Sequence, residues 1–180
     1  KNYQMKKTIL VYGGISGTIV TLMLIISFVF IIGNNSNHDM TGGLIIGFTS
    51  QFLAMSFIFI ATHSYKKNVL GGTIKFWPAF KIGLLISLIA STMYVITWVI
   101  LYKTGSSVLI DGMAQKEISE LTDPAAIKEA ESRWAFYRTY PGLISFTYME
   151  ILPTGILMSL ISATIFTLIG RKKKKNTLTQ

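Results

Sequence analysis

The chain has 180 residues, of which 51% are apolar and only 14% charged, with a formal net charge of +9. A soluble domain carries about 25% charged residues, so this chain cannot coat a water-facing surface, and intrinsic disorder is excluded on the same ground. With no cysteine, it has no disulfide, no thiolate metal site and no cysteine nucleophile.

A bilayer core about 30 Å thick is crossed by a helix of roughly 20 mostly apolar residues. Residues 8–32 form the first such stretch and carry no charge. Lys6 and Lys7 before it resemble the start of a signal peptide. A secretory apolar region is only about 7–15 residues long, however, and this longer run ends in Gly33-Asn34-Asn35-Ser36-Asn37. It reads as a retained anchor. Residues 42–62 form the second span, with Gln51 its one strongly polar side chain. Residues 63–81 are a basic connection carrying Gly71-Gly72 and Trp77-Pro78. The third span is 82–102, and 141–170 is the fourth, long enough to cross with tilt. Because backbone groups in lipid must be satisfied internally, these runs are helices. A barrel would need alternating segments of about 10 residues. The expected fold is an all-α integral membrane protein, one domain over 1–180: a four-transmembrane-helix bundle with a short helical extracytoplasmic segment at 103–140, between the third and fourth spans, and a basic cytoplasmic tail at 171–180.

The cations sort by position. Three precede the first span (Lys1, Lys6, Lys7), and four stand between the second and third (Lys66, Lys67, Lys75, Lys81). Five follow the fourth: Arg171, Lys172, Lys173, Lys174 and Lys175. No acid stands among them. The opposite connections hold five cations and seven acids, from Asp39 to Glu131. The positive-inside rule therefore expects both termini in the cytoplasm, as an even number of spans requires. Nucleic acid is excluded as a partner, since its binding surface needs cations on one face with aromatics to stack on bases. The basic tail is a topology anchor or a site for anionic membrane lipid, which such clusters attract by about 1 kcal/mol per residue.

Within 103–140, Ile110, Met113, Ile118 and Leu121 fall near one helix face. Asp123-Pro124 reads as an N-cap followed by proline at the first helical position. A second helix then carries Ile127, Ala130, Trp134 and Tyr137, with Glu129 and Arg133 placed to pair. Such a short segment buries no sound core of its own, so it is expected to lie on the membrane or cap the bundle. It serves as a structured connection or as a docking surface for a membrane-protein partner.

Glu150 is the most informative residue. It lies about 13 Å into the last span, where an acid is costly and marks a functional hypothesis. Depth counting sets Gln51, Ser91, Thr92, Tyr94, Thr21 and Met23 at comparable levels. Pro153 frees the carbonyl of Met149, and with Gly155 following, a helix kink is expected there. The carboxyl could serve proton or cation passage, or act as a buried hydrogen-bonding staple. Small residues recur every four positions, as at Gly13 and Gly17, Gly83 with Ser87 and Ser91, and Gly155 with Ser159 and Ala163. That spacing allows close helix approach within the bundle or in a homo-oligomer.

Catalytic and cofactor signals are weak. Gly14-Ile15-Ser16-Gly17 matches the motif around an intramembrane serine nucleophile, which also needs a histidine at the same depth. Only His38 and His63 are present, and neither a metal spacing nor a phosphate-cradling loop occurs. No catalytic residue, metal or cofactor is expected.

A further set of motifs runs along most of the chain. Met5-Lys6-Lys7 opens into a Gly-rich span, and Tyr65-Lys66-Lys67 precedes Gly71-Gly72-Thr73-Ile74-Lys75-Phe76. Ala79-Phe80-Lys81-Ile82-Gly83, Ala90-Ser91-Thr92-Met93-Tyr94 and Met149-Glu150-Ile151-Leu152-Pro153-Thr154-Gly155 follow. This pattern resembles a bacterial integral membrane family known as domain of unknown function 4199. The resemblance implies a four-helix protein of the bacterial inner membrane and brings no activity with it. The expected function is that of a non-enzymatic accessory or scaffold protein acting through helix or lipid contacts. The alternative is a small transporter or channel component using Glu150 with Gln51.

Overall fold

A computed structural model describes residues 2–33 and 40–178, and the backbone alone at 30–33, 40–44, 106, 109 and 171–178. Six α-helices follow one another: α1 (Asn2–Gly33), α2 (Met40–Asn68), α3 (Phe76–Leu101), α4 (Ser107–Glu120), α5 (Pro124–Tyr137) and α6 (Tyr140–Leu178). Among the described residues there is no strand. Four stretches are long and apolar enough to cross a membrane: Asn2–Val29, Ile45–Asn68, Phe76–Gly105 and Tyr140–Gly170. Their outer faces are apolar rather than polar, with Leu10 66%, Val29 63% and Ile45 62% exposed. Surfaces of that kind suit a lipid solvent, and the fold is the expected four-helix membrane bundle.

The helices outrun the apolar stretches. Helix α2 continues through Lys66 and Lys67 to Asn68, where cations in the last turn complement the helix dipole. It ends at Gly71 and Gly72, whose φ angles of +68° and +104° few other residues adopt. The Gly72 N–H closes back on the Lys66 carbonyl at 2.9 Å. Helix α3 then starts at Phe76, earlier than its charge pattern suggests, with Pro78 in its first turn where a missing N–H is harmless.

The chain divides into two compact units, Lys1–Tyr94 with Ile151–Gln180 and Val95–Glu150. The core of the first unit contains Ile9, Val20, Met55, Ile58, Ile82, Ile86 and Ile151. Glycine and serine let its helices approach closely. A Cβ added at Gly83 would stand 2.6 Å from Ser159 Oγ and 2.8 Å from Ile58 Cγ2, and one at Gly155 would stand 2.5 Å from Ser87 Cβ. The hydroxyls of Ser87 and Ser159 lie 3.5 Å apart and donate back to the carbonyls of Gly83 and Gly155. A Cβ at Gly13 would meet Ile89 Cδ1 at 2.9 Å, and one at Gly17 would strike Met93 Sδ. The four-residue spacing of small residues therefore builds contacts within the chain. At the other end of α6, Phe166 is covered by the Lys66 ammonium, 5.4 Å from its ring centre, and by the His63 ring at 5.6 Å.

In the second unit α3 passes into α4 through Tyr102–Ser106, where Gly105 takes φ +137°. The expected N-cap is present: Asp123 Oδ1 accepts from the Ala125 N–H at 3.1 Å, with Pro124 opening α5. Ile110, Ala114 and Ala130 are buried between the surfaces of this unit. The Thr139 hydroxyl starts α6 by accepting from the Gly142 N–H at 3.2 Å.

Close approach makes a testable demand. Gly155→Leu should lower stability in detergent by about 1–3 kcal/mol through overpacking, read as a fall in the thermal midpoint. Gly14→Ala, whose Cβ meets nothing within 4 Å, should be neutral or gain up to about 1 kcal/mol from helix propensity.

Candidate functional site

Two polar constellations stand out, one in each unit. In the first, Gln51 Nε2 donates to the Ile151 carbonyl at 3.2 Å, and Gln51 is 5% exposed. The contacts above fix what else lies at that level. Gly155 lies against Ser87, so four residues on, in opposite directions, Ile151 comes level with Ser91. Gly17 lies against Met93, which brings Ser16 to the same level on α1. Depth counting had put Thr21 and Met23 there. The register follows the glycines that touch α3. Ser16 and Ser91 are both fully buried, and neither hydroxyl has a protein hydrogen-bond partner. Thr92 is half-buried and donates to the Leu88 carbonyl at 2.7 Å, while Tyr94 packs against the core.

The same register separates Ser16 from His63, which lies about 18 Å farther along α2 than Gln51. His63 rests on Phe166, so the serine–histidine pairing raised by the Gly-x-Ser-Gly motif does not form. Helix α6 runs through Pro153 as one helix, with Pro153 exposed and Gly155 packed inward. The side chains of Arg171, Lys172, Lys173, Lys174 and Lys175 lie outside the described residues, as do His38 and Asp39.

The second constellation surrounds Tyr137. Its hydroxyl accepts from Trp98 Nε1 at 3.2 Å, and its ring lies 5.5 Å from both Trp134 and Phe146. Burial pushes the Tyr137 hydroxyl above its ordinary range, and the charge of Glu150 adds to that, opposing hydrogen bonds from Trp98 and Thr147. At neutral pH it is therefore a protonated group within reach of the Glu150 field. Thr147 is buried and donates to the Leu143 carbonyl, one turn before Glu150, whereas Glu150 itself is exposed. Gln51, Thr92 and Tyr94 belong to the first unit and Glu150 to the second. Spacing places Tyr137 with Ile127, Ala130 and Trp134 on α5, but its bond from Trp98, 39 residues away, is not legible from spacing. Thr147 was legible at three residues from Glu150, the spacing that puts two side chains on one helix face.

Charge organises the rest of this unit. Glu117 on α4 accepts from Arg133 and, through its other oxygen, from Trp134 Nε1 at 2.9 Å. Arg133 thus pairs across helices rather than with Glu129 along its own, because Glu117 is held in place by two donors at once. Arg138 grips Asp111 with Nε at 2.9 Å and a terminal nitrogen at 2.8 Å. Among the described residues no group of three or more His, Asp or Glu is placed to hold a metal ion.

A family model described as a protein of unknown function (DUF4199) matches residues 12–167. The chain belongs to this family. Among curated proteins and solved structures nothing matches it. Two motifs of this DUF4199 chain now have structural roles. Gly71-Gly72 makes the turn between α2 and α3 with Ile74 buried behind it, and Ile151 through Gly155 supply both the carbonyl held by Gln51 and the contact with Ser87.

The Glu117 clamp is partly exposed, so Glu117→Ala should cost about 1 kcal/mol or less overall. Its local effect should be larger. Amide exchange along α5 should speed up, because Arg133 and Trp134 lose their shared acceptor.

Proposed function

We propose that this membrane protein is a non-enzymatic accessory or scaffold component of a bacterial inner membrane, working through helix and lipid contacts with both termini in the cytoplasm. The observation carrying this reading is the second unit. Two ion pairs, Glu117–Arg133 and Asp111–Arg138, join α4 to α5 and its C-terminal end, yet Val108 at 77%, Tyr140 at 50% and Phe136 at 49% stay exposed. Cross-linked helices bearing exposed apolar side chains suit recognition of another membrane protein. The twelve cations before the first span, between the second and third and after the fourth support the orientation. Their concentration also favours contact with anionic lipid.

Crosslinking in native membranes followed by purification tests the scaffold role. One constant partner should be recovered, and Val108→Asp with Phe136→Asp should release it without loss of folded protein. Recovery of no constant partner would count against the reading. Because the chain has no cysteine, single cysteines at Ser119 and Asn68 report orientation directly. An impermeant thiol reagent applied to whole cells should label the first and spare the second.

A second reading, transport, is favoured by one observation: an acid lies within a candidate span, and its charge reaches the half-buried Tyr137 phenol. Glu150→Gln keeps the shape and hydrogen bonding but cannot ionise. Under this reading, proton-dependent flux into liposomes should be present in the wild type and abolished in the variant. Absence of any pH-dependent flux in the wild type would remove the transport reading and leave the scaffold role standing.

A further inference from the structure

A lysine at the end of a span usually lays its stem along apolar surface and keeps its ammonium in water. Lys66 is drawn in instead: it is 7% exposed, and its Nζ lies 5.4 Å from the centre of the Phe166 ring. One ring face serves one side of an ammonium, which carries three donors. Buried charges are as a rule paired, yet among the described residues Lys66 has no carboxylate partner. The first unit contains a single acid, Asp39, which precedes α2 in the chain. About 39 Å of helix separates Met40 from Lys66. Lys66 is thus a drawn-in cation that its own unit cannot neutralise.

Three segments meet around it. His63, on α2 with Lys66, lies 5.6 Å from the same Phe166 ring. One turn past Phe166, a Cβ on the buried Gly170 would stand 3.7 Å from Thr73 Cα and 3.9 Å from the Ile74 nitrogen, so the turn between α2 and α3 lies against α6. Exposed Lys67 and Lys75 belong to the first two of these segments, Arg171 follows in the third, and none of the three contains an acid. The site lies on an apolar margin, because Leu168 and Ile169 beside it are 54% and 52% exposed.

We propose that Lys66, with His63 beside it, binds the phosphate oxyanion of an anionic phospholipid headgroup whose acyl chains run along Leu168 and Ile169. Inorganic phosphate offers the same oxygens, but the apolar margin favours the lipid. A headgroup without an ammonium of its own leaves its charge for Lys66. This site deepens the lipid half of the accessory reading and rests on it. Failure to recover a protein partner by crosslinking would leave the site untouched, so the two can fail separately.

Full-length protein in detergent is titrated with phosphatidylglycerol, phosphatidylcholine or inorganic phosphate, and followed by native mass spectrometry and thermal midpoint. The wild type should retain phosphatidylglycerol and gain in midpoint, with phosphatidylcholine far less effective. Lys66→Met keeps the stem and removes the charge, so its affinity for phosphatidylglycerol should fall about tenfold or more. Its midpoint without lipid should not fall, because an uncompensated charge is gone. Lys67→Met removes the same charge from an exposed position and should bind as the wild type does. Equal losses in the two variants would mean diffuse attraction and overturn the site. A wild-type midpoint that phosphatidylglycerol does not move overturns it whether or not Lys66→Met folds. Displacement of the lipid by inorganic phosphate at the same concentration would overturn the lipid assignment.

Discussion

The contact between α3 and α6 at Gly83, Ser87, Gly155 and Ser159 fixes the first unit. In lipid, apolar burial no longer drives helices together, because the surrounding chains are as apolar as the side chains they would replace. What remains is van der Waals contact and hydrogen bonding, and both need backbones close. Cβ atoms at Gly83 or Gly155 would stand 2.5–2.8 Å from their neighbours, so the approach is possible only with glycine. Once the glycines set the register, Gln51 meets the Ile151 carbonyl and Ser91 comes level with it. A shift of one residue along α6 would turn Ile151 about 100° away from the core and take the carbonyl from the amide.

The second unit solves a different problem by different means. Helices α4 and α5 are too short to bury a core between themselves, and they use the adjoining turns of α3 and α6. Charge and aromatic contacts do the rest: Glu117 binds Arg133 and Trp134, Arg138 binds Asp111, and Tyr137 lies between Trp98 and Phe146. Ion pairs this exposed contribute little to stability one by one. Their value here is geometric, since Glu117 binds two neighbouring residues of α5 and so sets its rotation.

The elements were largely legible in the sequence. Long uncharged runs specify membrane helices with little ambiguity, and Asp123-Pro124 announced the start of α5. What could not be read was which residues share a level. Counting from the edge of an apolar run assumes that all runs end at one level, whereas the contacts of Gly13 and Gly17 with α3 set Ser16 and Gly17 where Thr21 and Met23 were placed. Small residues at four-residue spacing hold the missing information, but only once their partners are known. Arg133 shows the same limit: its helical neighbour Glu129 was visible from spacing, whereas Glu117 required the fold. Tyr137 was visible from spacing on α5, whereas its bond from Trp98, 39 residues away, required the fold.

The two units divide polar chemistry unequally. The first keeps neutral groups at its centre, namely hydroxyls, an amide and a carbonyl, each able to bond without ionising. The second holds Glu150, the one acid within the candidate spans, together with the half-buried Tyr137 phenol, which burial pushes still further from ionisation. Neutral groups tolerate low dielectric because a single hydrogen bond satisfies them, whereas a carboxylate must be paired, protonated or solvated. A sequence that needed Glu150 only as a staple would be served equally well by glutamine, which Gln51 shows this bundle accommodates. An ionisable group at that position, whose charge reaches the Tyr137 phenol, is the feature that a purely structural account explains least.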